Sequence, residues 1–210
     1  MKKYILAISA CFFCFSDLSA QTDLISWSSI KLYGKTDSGF QYAFKPIIRH
    51  RNDLQEYNNS SLDFMISKRT RSNWSFQYLY RVWYIKDGPN RTFWWFDVAK
   101  SNTLGSKWSI KNRMRWHIAF DSKLEDANFL RYLPTVHYKY SNDLSFYLGS
   151  ELWWQLDGVN DLRRFRHQAG FNYGLSERMS LDLQYWYERS RGLDPYFLFH
   201  TLVVNLNYRI

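Results

Sequence analysis

Between Trp108 and Phe120 the chain alternates. Trp108, Ile110, Asn112, Met114, Trp116, Ile118 and Phe120 share one parity, and Ser109, Lys111, Arg113, Arg115, His117 and Ala119 the other. A helix turning 100° per residue would smear both sets around its circumference, whereas a strand sends successive side chains to opposite faces. The same pattern recurs at Phe40, Tyr42, Phe44, Pro46 and Ile48, at Trp74, Phe76, Tyr78, Tyr80, Val82 and Tyr84, and at Leu130, Tyr132, Pro134, Val136, Tyr138 and Tyr140. It returns at Leu144 to Trp154, Phe165 to Tyr173, Met179 to Tyr187 and Leu202 to Ile210. The chain is therefore read as all-β, with strands over about 25–33, 38–51, 59–69, 73–85, 91–101, 107–120, 128–141, 143–155, 161–174, 178–190 and 196–210.

Alternation does not say which face meets water. A soluble, lipocalin-like barrel would turn its aromatics inward and its Arg and Lys outward. Three features favour a transmembrane barrel. The segments are long for a soluble domain but suit tilted strands crossing a bilayer. Aromatics sit toward segment ends, as at Trp74 and Tyr84 or Trp108 and Trp116, where an interfacial girdle needs them. Very short connections, such as Ser141-Asn142-Asp143 and Leu175-Ser176-Glu177, alternate with longer ones at Asp121 to Ala127 and Asp157 to Asp161. Closure would also remove aggregation-prone sheet edges. The expected fold is a closed antiparallel transmembrane β-barrel. Eleven segments are visible, but bacterial single-chain barrels close with even numbers, so twelve strands are expected, with ten as the alternative.

Met1-Lys2-Lys3, the apolar run Tyr4 to Phe15 and the small-residue stretch ending Leu18-Ser19-Ala20 read as a signal peptide over 1–20, leaving a barrel at 21–210. Export to the outer membrane of a Gram-negative bacterium follows from that leader and the barrel pattern together. Ile8-Ser9-Ala10-Cys11 has the look of a lipoprotein box, but the apolar run continues beyond Cys11. Both cysteines, Cys11 and Cys14, lie in the leader, so the exported chain has no disulfide, thiol nucleophile or Cys-based metal site. The 210 residues carry 10 Trp, 16 Tyr and 16 Phe, which excludes a disordered chain. With 28 Lys+Arg against 19 Asp+Glu the formal charge is +9.

The early Ile25-Ser26-Trp27 strand, the second strand ending Ile48-Arg49-His50-Arg51 and the Lys111-Asn112-Arg113-Met114-Arg115 strand resemble an uncharacterised family of predicted outer-membrane β-barrel proteins, known only as a domain of unknown function. The resemblance covers nearly the whole exported chain. It implies location and fold, and no activity. By size and basic interior the chain is also similar to small twelve-stranded porins for acidic oligosaccharides, an analogy of architecture.

With aromatics facing lipid, the other parity faces the lumen. Its basic residues are Lys45, Arg49, Arg51, Arg81, Lys111, Arg113, Arg115, Arg131, Lys139, Arg164 and Arg166, set against Asp63, Asp97, Glu151, Asp182 and Glu188. A surplus of cations in a narrow low-dielectric tube concentrates anions. Ten of these residues, all but Arg51, are the expected solute contacts of a passive channel for small anionic solutes or acidic oligosaccharides. The competing expectation is a sealed barrel, in which the same charges pair into a plug. Inward Trp83, Trp95, Trp153 and Trp186 would stack on sugars or simply fill space.

Enzyme chemistry has less to build on. His50, His117, His137, His167 and His200 are scattered, none lies in a His-x-Ser arrangement, and no carboxylate pair converges in sequence. The expectations are no catalytic activity, with a lipid-modifying enzyme as the remote alternative, no cofactor and no metal. The expected partners are membrane lipid and a small anionic solute, with no nucleic acid, and the barrel is expected to be a monomer.

Overall fold

Each alternating segment forms a strand, and every strand pairs with the next through a short connection. In the computed structural model, residues 22–120, 128–157, 160–190 and 198–210 are described. The leader at 1–20, and the connections at 121–127 and 158–159, lie outside the described residues. The strands are β1 (Thr22–Lys35), β2 (Phe40–Arg51), β3 (Glu56–Arg69), β4 (Trp74–Ile85), β5 (Arg91–Leu104), β6 (Trp108–Ala119), β7 (Phe129–Lys139), β8 (Leu144–Gln155), β9 (Leu162–Gly174), β10 (Met179–Ser190) and β11 (Leu198–Arg209).

They close into one barrel in chain order. All consecutive pairs are antiparallel, while β1 and β11 pair parallel, from Thr22 opposite Leu198 to Tyr33 opposite Arg209. The described residues thus hold eleven strands where evenness led to twelve or ten. The reason is geometric. With an odd number of up-and-down strands the first and last point the same way, so closure requires one parallel ladder.

The barrel is inside-out relative to a soluble domain. Large apolar side chains cover the outside, with Phe64, Met114 and Leu148 exposed at 47%, 49% and 65%. Among the described residues, sixteen buried residues are polar or charged against nine that are apolar, Glu151 and Ser61 being the most deeply enclosed. The aromatic parity of the sequence is the outer one in β2, β4, β6 and β8, where Tyr42, Phe76, Trp116 and Phe146 are exposed. An apolar patch of Leu79, Phe93 and Trp95, backed by Met65 and Trp83, fills one side of the interior.

Five connections of three or four residues join β1–β2, β3–β4, β5–β6, β7–β8 and β9–β10 at one end of the barrel. Two share one design. In Thr36-Asp37-Ser38-Gly39 and Thr70-Arg71-Ser72-Asn73, the threonine hydroxyl bonds the serine hydroxyl (2.9 and 3.1 Å) and accepts from the first amide of the next strand (3.1 and 3.2 Å). The fourth residue has positive φ, 82° at Gly39 and 63° at Asn73, which Gly and Asn tolerate best.

One inward glycine has a packing role. Gly170 of β9 faces Tyr147 of β8, and a Cβ there would lie 2.6 Å from both the Tyr147 ring and the Leu183 carbonyl oxygen. Tyr147 lies over this gap and donates to Asp182 at 2.6 Å. Gly170→Val is expected to lower barrel stability by about 1–3 kcal/mol, read as a shift in the urea midpoint of the refolded protein. An unchanged midpoint would contradict this packing.

Candidate functional site in the barrel lumen

Cross-strand register decides which inward charges meet. Lys45 lies opposite Asp63, and Asp63 opposite Arg81. Asp97 lies opposite Arg115, and Arg166 is flanked by Glu151 and Glu188. The contacts that result are short and buried. Arg81 grips Asp63 through Nε and Nη2 at 2.6 and 2.7 Å, and Arg115 grips Asp97 in the same way at the same distances. Such planar two-point contacts are the strong form of the arginine–carboxylate pair.

Glu151 is the hub. It accepts from Arg113 at 2.8 Å, from Arg131 at 2.8 Å and from the Trp153 indole at 2.9 Å, with Arg166 at 3.5 Å. Glu188 holds Arg166 at 2.7 Å and Arg164 at 2.9 Å. Tryptophan faces carry the guanidinium groups: Arg81 and Arg115 lie 4.3 and 4.2 Å over Trp95, Arg131 lies 3.5 Å over Trp153, and Arg166 lies 4.3 Å over Trp186. Indole offers cations their best aromatic face. Asp182 is held by neutral donors instead, namely Tyr147, Gln184 and Asn205.

Around this network runs a cavity of about 900 Å³ lined by residues of all eleven strands. Nine of the ten basic residues read from the sequence line it: Lys45, Arg49, Arg81, Lys111, Arg113, Arg115, Arg131, Arg164 and Arg166. Lys139 does not. It ends β7 beside the short turns and is exposed, because the inward parity there runs out past the rim. Arg51 also sits at a rim, 3.6 Å from Glu56. Trp83, Trp95, Trp153 and Trp186 all line the cavity.

Six of the nine arginines and lysines are ion-paired: Arg81, Arg113, Arg115, Arg131, Arg164 and Arg166. Lys45, Lys111 and Arg49 form no ion pair within 4 Å among the described residues. Lys31, which the sequence reading passed over, joins them in the lining. It shares a parity with Trp27, which an aromatics-to-lipid reading sends outward, whereas both line the cavity. The register pairing Ser29 with Ile47 and Leu32 with Phe44 also sets Lys31 opposite Lys45, a like-charge juxtaposition that an anion relieves.

The outer face brings one serine and one histidine together. Ser150 Oγ and His167 Nδ1 are 2.8 Å apart, in a cross-strand row with Tyr187 and His200. His167 stacks on Tyr187, and no carboxylate orients its other nitrogen among the described residues. Separation in sequence hid this contact. Among the described residues no group of three or more His, Cys, Asp and Glu is placed to hold a metal ion.

The family described as "Protein of unknown function (DUF2490)" matches residues 24–194, from β1 to beyond the end of β10. The chain belongs to that family. Its match spans the ion-pair network and every cavity-lining strand except β11, so the lumen lies almost wholly within what defines the DUF2490 family. No curated protein matches the chain. The family description assigns no activity.

Proposed function

We propose that this DUF2490 protein is a monomeric barrel of the Gram-negative outer membrane, exported by a leader at residues 1–20, whose lumen attracts and passes small anionic solutes. The apolar outer face and long strands support immersion in lipid. The observation that carries the solute reading is the charge of the cavity wall. Ten Lys and Arg line it against four Asp and Glu, with Asp97 behind them on Arg115, so pairing leaves a cationic surplus in a confined, low-dielectric space. Spread over a hydrocarbon core of ~30 Å, a volume of about 900 Å³ gives a cross-section of roughly 30 Å². That width suits single-file passage of small ions better than a saccharide chain.

The leader and barrel have a direct test. The exported protein is expected to begin at Gln21, to fractionate with outer membranes and to show heat-modifiable migration on gels. Recovery as a soluble periplasmic protein would refute the membrane assignment.

The lumen is tested by conductance in planar bilayers. Lys45→Gln with Lys111→Gln is the cleanest perturbation, because neither lysine holds a carboxylate, whereas neutralising Arg113, Arg115, Arg164 or Arg166 takes a partner from a buried acid. The double variant is expected to lower the anion-to-cation permeability ratio, and the difference is expected to shrink in ~1 M salt, where the Debye length falls to ~3 Å. A ratio indifferent to both lysines would refute the anion reading. The second reading, a sealed barrel, is favoured by the buried Glu151 hub, and a wild-type protein without measurable conductance would establish it.

A further inference from the structure

Among the described residues, Arg49 is the lumen arginine whose guanidinium edge no carboxylate meets. It is 4% exposed, and its Nε and Nη2 atoms are buried without a hydrogen-bond partner. The Trp27 and Trp83 rings lie 3.8 and 4.7 Å from its Cζ. In this same barrel, the Nε–Nη2 edges of Arg81 and Arg115 each clasp a carboxylate through two bonds. Arg49 presents the same fork beside two indoles, with no acid among the described residues on it.

Its neighbours are unpartnered too. Asn59 lies directly opposite Arg49 on β3, and Ser61 lies opposite Trp83 on β4. Asn59 Oδ1, Ser61 Oγ and the Trp83 indole nitrogen are all buried without partners. Buried polar atoms are almost always satisfied in folded proteins, and each one left over carries a desolvation cost. Five such atoms on three adjacent strands mark a place built to be completed from outside the chain. The ladder is also irregular here, with a register shift between Arg49 and His50, and bulges commonly re-aim side chains at functional positions.

The geometry points to a binding site for a sugar acid, its carboxylate held by the Arg49 fork and its hydroxyl groups exchanging hydrogen bonds with Asn59 and Trp83, which line the cavity with it. A bare carboxylate would satisfy the fork alone. A carboxylate carried on a hydroxylated body supplies both the donor that Asn59 Oδ1 needs and the acceptor that the Trp83 indole needs. The fork is covered by neighbouring side chains, so entry requires one of them to change rotamer. The site rests on the reading of the lumen as anion-attracting, and names the chemistry of the anion that dwells there.

Calorimetric titration of the full exported chain in detergent tests it, with glucuronate and its uncharged amide, glucuronamide, as probes. Glucuronate is expected to bind roughly tenfold or more tightly than glucuronamide, the loss of a charge-assisted two-point contact. Arg49→Lys keeps the charge, lacks the fork, and is expected to weaken glucuronate by a similar factor, while Lys139→Gln at the exposed rim leaves it unchanged. Glucuronate that fails to bind, or that binds no better than the amide, overturns the site, and this comparison needs no variant to fold. Retained binding in a barrel without conductance would refute passage through the lumen and leave the sugar-acid site standing. Conductance with glucuronate affinity equal in wild type and Arg49→Lys would do the reverse.

Discussion

Glu151→Gln is expected to lower the unfolding free energy of the barrel by about 3–5 kcal/mol, the cost of breaking a buried ion pair and stranding its partners. Glu151 is 1% exposed and meets three guanidinium groups, those of Arg113, Arg131 and Arg166. Removing its charge leaves Arg113 and Arg131 without the carboxylate they bond, while Arg166 keeps Glu188. Urea titration followed by tryptophan fluorescence reads the change, since Trp153 bonds Glu151 directly. Glu56→Gln is the comparison. Its partner Arg51 is 3.6 Å away and both side chains are about half exposed, so the loss there is expected to stay under about 1 kcal/mol. Equal, small losses at both positions would show that the hub contributes nothing to stability. In the bilayer, the same Glu151→Gln protein is expected to pass more anion current than wild type, because the change removes the acid that draws three arginines together.

Arginine placed on the outer face at Met114 or Leu183 is expected to cost about 2–4 kcal/mol, the measured scale for a cation near the bilayer midplane. Met114 is 49% exposed at the middle of β6, and Leu183 has the same outward parity on β10, opposite Phe171 and Val204. Gln77→Arg provides the contrast. Gln77 lines the cavity and its amide lies 3.5 Å from Asp97, so a cation there finds a carboxylate and is expected to be far milder. The reverse order of penalties would mean that the two faces are interchanged and that the barrel presents its polar side to its surroundings.

Much of this was legible in the chain because a strand has a period of two and the short turns fix the register. Folding the sequence about Ser72 sets Asp63 opposite Arg81, and folding it about Ser106 sets Asp97 opposite Arg115. These ion pairs need only parity and a turn. The Glu151 hub needs more. Arg113 reaches it from β6 across the whole of β7, a contact made by the curvature of the closed wall rather than by any hairpin. Arg49 was recognisable as an inward cation, but its special surroundings were not. They combine Trp27 from β1, Trp83 from β4 and a register shift that no composition signals. All eleven segments were visible in the chain, and their odd number carries with it the parallel seam that closes the barrel.

The parallel seam between β1 and β11 has a practical consequence for engineering. Thr22 begins β1 at one mouth, and Arg209 ends β11 at the other. A two-residue loop could splice the outer strands of an antiparallel seam. Here a splice must travel the height of the wall, ~40 Å for twelve extended residues, so a circular permutant needs a linker of at least about a dozen residues. Epitope tags fused next to these two positions would sit at opposite mouths, and for a barrel that spans the outer membrane as proposed, whole-cell labelling of one but not the other would map which mouth faces outward.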